Sequence, residues 1–335
     1  MSAANSRIER FLNNLRENLT DGNYYEGHQE LRAIASRFVK QKKPLRAIEF
    51  LYLGALELCQ YNQYGSVADL SSFMINIYID EKIPVTLENK ERIYEILEKL
   101  SKATEYYPRV YESAIQWTIG EMGGVGDSQM HHFVGCVLRN KGRYQESEMH
   151  FLVGTAESPS ALGLMLAEWA IKTDGGDYGL FVARGVLKYL ALGWYEAACF
   201  CWRAFITRLS TVMPDKFAER SENASLGSKI GPVYYAAAPH VLVNFIQLLL
   251  LTVERSDGSP GSNAVRIFDS LRQKYTGLFG VNSDTVNKLL DMIAEKYFGV
   301  VVQRQQSIFD LVNSLFAAPP SRPAITSNNV DEDMD

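Results

Sequence analysis

Apolar residues recur at helical spacing along almost the whole chain. Between Tyr25 and Val39, the residues Leu31, Ile34, Ala35 and Phe38 fall on one face, as a period near 3.6 requires. Between Leu45 and Cys59 the same is true of Ile48, Leu51, Tyr52, Ala55, Leu58 and Cys59. The pattern predicts further helices over 66–80, 86–101, 107–120, 129–141, 144–156, 159–172, 178–192, 194–209, 239–255, 262–276, 283–298 and 305–316. The breaks between them are short and chemically explicit. Lys43-Pro44, Ile83-Pro84, Tyr107-Pro108, Gly123-Gly124, Lys141-Gly142, Ser158-Pro159, Gly175-Gly176 and Leu192-Gly193 each place a residue that ends or starts a helix.

Strand signals are nearly absent. The exception is 211–237, the longest helix-poor internal segment, where Gly227 lies between two short stretches of β-formers and a small hairpin is expected. A long loop inside a tight helical array is often functional. A short phrase also recurs: Gly22-Asn-Tyr-Tyr-Glu-Gly27, Gly142-Arg-Tyr-Gln-Glu-Ser147 and Gly193-Trp-Tyr-Glu-Ala-Ala198. In each, the glycine ends a turn, the aromatic packs between helices, and the small residue permits close helix approach. The intervals follow no strict 34-residue period. The expected fold is all-α, an α-solenoid of tetratricopeptide-like antiparallel helix pairs with a small inserted β-hairpin. In such a fold each pair buries its apolar face against its neighbours. The expected organisation is an N-terminal solenoid half over 1–160, a C-terminal half over 161–316 carrying the 211–237 insert, and a disordered acidic tail over 317–335. That tail, from Ala318-Pro-Pro-Ser-Arg-Pro into the acidic end, is too polar and proline-rich to pack.

Composition narrows the function classes. With 34 Lys and Arg against 39 Asp and Glu, nothing in the global charge points to nucleic acid. The charge is unevenly placed. Residues 1–46 hold nine basic residues and five acids, whereas Asp331, Glu332, Asp333 and Asp335 close the chain. A basic head is either an ordinary solvated helix face or a surface for an acidic partner. No apolar run reaches the roughly 18 residues of a membrane span. The longest, Val241–Val253, is interrupted by Asn244 and Gln247. No secretory signal is evident at Ser2–Arg10. The four cysteines, Cys59, Cys136, Cys199 and Cys201, lack CxxC spacing and read as buried thiols of a reducing compartment, so the cytosol is the expected location.

Catalytic chemistry finds little support. His132 and Cys136 stand one helical turn apart, with His131 and His150 near in sequence, but a zinc site needs three or four ligands. Gly123-Gly-Val-Gly-Asp lacks the Lys-Ser/Thr of a phosphate loop and reads as a linker between helices. No nucleophile or metalloprotease motif is present. No cofactor or metal is expected, and the chain reads as a binding scaffold. Tyr24 with Tyr25, and Tyr234 with Tyr235, offer the aromatic anchors that interfaces favour, although one member of each pair is expected in the core.

Taken in order, several phrases resemble the Golgi-to-ER traffic protein 4 family. They are Gly22-Asn-Tyr-Tyr-Glu-Gly-His-Gln, Ala47-Ile-Glu-Phe-Leu-Tyr-Leu-Gly-Ala-Leu, Gly65-Ser-Val-Ala-Asp-Leu, His131-His132, Gly142-Arg-Tyr-Gln-Glu-Ser-Glu-Met-His-Phe, Val243-Asn-Phe-Ile-Gln-Leu-Leu-Leu-Leu-Thr-Val and Tyr297-Phe-Gly-Val. The resemblance runs from about residue 5 to 316. It implies an α-solenoid with an inserted hairpin and no enzymatic activity. It implies an adaptor in targeting tail-anchored membrane proteins to the endoplasmic reticulum. The N-terminal half would dock a homodimeric targeting ATPase, and the C-terminal half a ubiquitin-like-domain protein. Through these the chain would reach a tetratricopeptide co-chaperone indirectly, with no direct membrane insertion. The implied ATPase face includes Arg10, Tyr24, Lys40, Arg46 and Asp69. A second family acid is replaced by Asn76, with Asp80 one turn on. The implied ubiquitin-like-partner face lies in 211–255, at Val233, Tyr234, Phe245 and Leu249. The alternative is a helical-repeat scaffold of another multiprotein complex. Scaffolds of the proteasome-lid kind end in a winged helix, whereas 262–316 reads as plain helices.

Overall fold

The computed structural model describes residues 3–103, 105–173, 176–219 and 228–300, with side chains from Arg10 onward other than those of Ala218 and Glu219. The described chain is almost wholly helical. In order come α1 (Ala3–Thr20), α2 (Tyr24–Lys40), α3 (Pro44–Gln60), α4 (Tyr64–Asp80), α5 (Leu87–Leu100), α6 (Tyr107–Met122), α7 (Ser128–Asn140), α8 (Tyr144–Leu152), α9 (Ser158–Lys172), α10 (Gly179–Leu192) and α11 (Tyr195–Val212). Strands β1 (Phe217–Glu219) and β2 (Tyr234–Ala236) follow, then α12 (Val241–Glu254), α13 (Asn263–Tyr275), a 3-10 segment (Thr276–Asn282) and α14 (Ser283–Phe298). The solenoid expectation holds. The expected helix over 305–316 and the acidic tail over 317–335 lie outside the described residues, as does Gly227.

Two elements differ from the sequence pattern. The helix α1 precedes the first periodic stretch. Only Leu12, Leu15 and Leu19 of its described side chains are buried hydrophobics, and the remainder of its surface is Asn- and Arg-rich. Its apolar stripe is therefore thin. Helix α8 stops at Leu152 rather than 156, because α9 begins at Ser158 with Pro159 in its first turn and the reversal needs the residues between.

From α1 to α11 each odd-numbered helix touches the next odd one, and α2, α4 and α6, then α8, α10 and α12, touch in turn, so the antiparallel pairs stack as two layers. Helices α1, α3, α5 and α7 begin at residues 3, 44, 87 and 128, which makes the repeating pair about forty residues long. Side chains report the same offset. Arg16 donates to Glu57, His28 pairs with Asp69, and Thr20 with Tyr61, each across 41 residues.

The turns explain the recurring phrase. Gly22, Gly142 and Gly193 all adopt left-handed φ, at 86°, 72° and 84°. Each amide returns to the carbonyl three residues back, and the following amide to the carbonyl five back, as in Gly22 to Leu19 and Asn23 to Asn18. This double bond satisfies the last carbonyls of the helix. The aromatic then opens the next helix as Tyr24, Tyr144 or Tyr195, and the small residue is buried as Gly27, Ser147 or Ala198. Lys42, Asn62 and Lys82 make the same turn at φ of 57°, 59° and 50°. Gly22, Lys42, Asn62 and Lys82 thus mark a 20-residue beat that glycine spacing alone conceals.

The buried hydrophobics form two clusters. One runs from Leu12 to Leu138, the other from Tyr144 to Phe298. The core therefore changes over between α7 and α8, earlier than 160, a position that falls inside α9. The tightest helix contact is α9 on α11. A methyl group on Gly163 would stand 2.1 Å from the Cys201 carbonyl oxygen. Cys199 and Cys201 are buried, Cys59 and Cys136 half-buried, and all four are free thiols.

Candidate functional site

The five residues expected on one N-terminal face are not brought together. Tyr24 opens α2 and Lys40 closes it, so they stand about 24 Å apart along the axis. Lys40 and Arg46 do share a surface. They flank the turn between α2 and α3, where Lys42 and Lys43 add charge and Leu45 is 66% exposed. Arg10 is exposed partway along α1, in the other layer. Tyr24 is half-buried with its ring 5.7 Å from that of Tyr61, while Tyr25 is 70% exposed.

Asp69, on α4, is the centre of an ion cluster that the sequence reading did not foresee. It accepts from His28 Nε2 at 2.9 Å and from Arg32, both on α2, and Arg109 of α6 approaches to 3.6 Å. Arg32 also lies over the Phe73 ring, 5.3 Å from its centroid. Burial alone pushes the Asp69 carboxyl up, but the hydrogen bonds and charges of Arg32 and His28 outweigh it and hold the group below the usual carboxylate range. His28 and Arg32 sit one turn apart on α2, and that spacing is the signal that finds them. The site links three even-numbered helices through one carboxylate. Asn76 and Asp80 are both exposed farther along α4.

At the other end, β1 and β2 pair antiparallel with Phe217 opposite Ala236, in the segment where a hairpin is expected. The second edge of β2 is held by α12. Asn244 accepts from the Ala236 amide at 3.0 Å and donates to the Ala236 carbonyl at 2.8 Å. Gln247 does the same for Tyr234, at 2.8 and 3.0 Å. The two polar residues that interrupt the apolar run thus act as a surrogate third strand. Because Tyr234 and Tyr235 lie on a strand, they point to opposite faces. Tyr234 packs against the core and Tyr235 is 53% exposed. Val233 is half-buried.

Two expectations need correction. Phe245 and Leu249 are fully buried. The hairpin covers one side of α12 and the helices α10 and α13 take others, so these side chains serve the core and offer no surface. The side of α12 that reaches solvent carries Leu248, 39% exposed. With Leu251 of α12 and Ala264, Ile267 and Leu271 of α13, it lines an apolar groove of about 360 Å³, and Arg255 stands at one end.

The central histidines are engaged with one another. His131 Nε2 donates to the Val125 carbonyl, so its Nδ1 accepts from His150 Nδ1 at 2.9 Å. Burial, then the neighbouring His131, pushes the His150 imidazole down to about 3, and burial lowers His131 as well. His132 contacts Ser158 Oγ at 2.8 Å, and its other nitrogen is 3.6 Å from Cys136 Sγ. Among the described residues no group of three or more His, Cys, Asp or Glu is placed to hold a metal. No described helix is long and apolar enough to cross a membrane.

These features match known proteins along nearly the full chain. The solved crystal structure of C. therm. Get4 superposes with a TM-score of 0.75 at 26% identity, covering 98% of this chain and all of that one. The Golgi to ER traffic protein 4 of Schizosaccharomyces pombe is 30% identical over 94% of this chain and 97% of its own length. Its counterpart from Aspergillus fumigatus is 29% identical over 92% and 90%. The profile of the family described as Golgi to ER traffic protein 4 matches residues 41–316. Fold and sequence agree, and the chain belongs to the Golgi to ER traffic protein 4 family.

Proposed function

We propose that the chain is a two-ended, non-enzymatic adaptor in the post-translational targeting of tail-anchored membrane proteins to the endoplasmic reticulum, acting in the cytosol. Such clients carry a membrane segment that aggregates in water unless handed on. The N-terminal pairs receive a homodimeric targeting ATPase, and the C-terminal pairs hold a ubiquitin-like-domain protein that links to a tetratricopeptide co-chaperone. The observation that carries this reading is family membership across an array whose two ends differ in chemistry. The turn at Lys40–Arg46 presents four exposed cations around Leu45. The hairpin and α12 present Tyr235 and Leu248 beside an apolar groove. The first contact gains its rate and register from charge and weakens with salt. The second gains from burial and tolerates salt.

Surface titration of the full chain tests the assignment. Arg46→Glu weakens the ATPase complex by about tenfold at low salt, near 1.4 kcal/mol, and by less at high salt. Binding of the ubiquitin-like protein is unchanged. Equal ATPase affinity for the wild type and Arg46→Glu removes the basic turn from the interface.

A further inference from the structure

The two hydrophobic clusters meet at the packing of α7 on α8. Met130, Val134 and Leu138 of α7 end the first cluster, and Tyr144, Phe151 and Leu152 of α8 open the second. The two helices approach closely: a Cβ on Gly135 would stand 2.9 Å from the Phe151 ring, and Ser147 Oγ donates to the Gly135 carbonyl at 2.7 Å. Across this joint His131 of α7 faces His150 of α8, Nδ1 to Nδ1 at 2.9 Å, and both are buried. The geometry admits one proton between them. The Val125 carbonyl, 2.7 Å from His131 Nε2, fixes the N–H on that nitrogen and leaves His131 Nδ1 as the acceptor. A proton on His131 Nδ1 would remove the acceptor and set two N–H groups face to face. A proton on His150 would keep that bond but bury a cation.

The charged groups packed around the joint are already engaged. Asp127, which opens α7, favours a proton on His131, but it binds Lys90 of α5 at 3.1 Å and the Met130 amide at 2.7 Å, and burial outweighs it. From α6, Tyr111 meets His150 edge-on at 5.4 Å, and its own charged neighbours are Glu112, Glu146 and Arg143. On the α9 side, His132 is held by Ser158, and Glu157 acts on Cys136. From α10, Arg184 and Lys188 both bind Glu148 of α8. Both imidazoles are depressed by burial. The stability they lend is therefore present above the unfolded value of about 6.5 and is lost progressively as pH falls from there towards the folded values. We propose that the His131–His150 pair is an acid-sensitive latch: proton uptake by the pair opens the α7–α8 joint and uncouples the two halves of the array. The latch rests on no identified partner.

Hydrogen exchange on the full-length chain at pH 7 and pH 5, corrected for the intrinsic rate, tests it. Protection of α7 and α8 is expected to fall at least about twentyfold, the effect of one histidine whose pKa in the open state is near 6.5. Amides of α3 and α14, one in each half, are expected to lose less. In His131→Gln/His150→Gln, which keeps hydrogen-bonding groups without the titration, the fall in α7 and α8 is expected to vanish. Protection of α7 and α8 that stays level in the wild type overturns the proposal. So does an equal loss along the whole chain, which makes the molecule one cooperative unit with no joint, and so does a fall that persists in the double variant, which puts the proton elsewhere. Imidazole resonances of the folded wild type give a reading that needs no variant. His131 and His150 are expected to stay neutral down to pH 5, and titration of either near 6.5 in the intact fold overturns the latch.

Discussion

Asp69 shows how a single carboxylate is tuned by residues remote in sequence. The Gly65-Ser-Val-Ala-Asp-Leu phrase picks it out, yet His28 and Arg32 stand 41 and 37 residues away and Arg109 lies on a third helix. Periodicity assigns residues to faces, but which faces meet depends on the stacking of pairs. The same limit hid the surface value of α12. Phe245 and Leu248 are one turn apart, and only packing decides that the first is buried and the second exposed. The cluster has a pH signature. The folded carboxyl is held below its unfolded value of about 3.9. Its stabilisation is fully present above that value and is lost as pH falls through the lower folded value. Asp69→Asn therefore lowers unfolding free energy at pH 7, and the gap to wild type closes as the pH falls below about 4. Urea titrations across that range measure it. A gap independent of pH means that the charge is not what Asp69 contributes.

The elements were more legible than their partners, because helix periods and Gly or Pro punctuation are local. The inserted hairpin was legible for the same reason: β-formers around a helix-poor stretch require no knowledge of packing. Its two tyrosines were harder to place, since strand and helix assign adjacent side chains different directions. The turns were half legible. Glycine marks three of them, but Lys42 and Lys82 hold the same left-handed conformation without the residue that favours it. A left-handed L-residue costs about 1–2 kcal/mol, offset in part by the greater unfolded entropy of glycine. Lys82→Gly is therefore expected to raise stability by about 0.5–1 kcal/mol, read as a shift in the urea midpoint at unchanged slope. A loss of stability would show that the Lys82 side chain contributes more than its backbone strain costs.

At the scale of the molecule, the paired layers carry two buried clusters that part between Leu138 and Tyr144. Pairs that touch only their neighbours transmit damage over a short range. Leu58→Ala, in the first cluster, removes a fully buried side chain and costs about 2–5 kcal/mol. Hydrogen exchange should show faster opening through α1–α6, with α10–α14 within about 0.5 kcal/mol of wild type; uniform acceleration along the chain would mean a single cooperative unit. A cut at 160 would sever α9 and divide the second cluster, parting Tyr144, Phe151 and Leu152 from the rest, so the two ends are better separated by point substitutions than by fragments. The amides of Asn244 and Gln247 bear on how anything can dock at the C-terminal end. By saturating the backbone of Tyr234 and Ala236, they leave β2 no vacant rung for an incoming strand. A visitor to this edge cannot zip onto β2 indifferently to its own sequence. It must read side chains, and so it is chosen by shape and by which residues it carries.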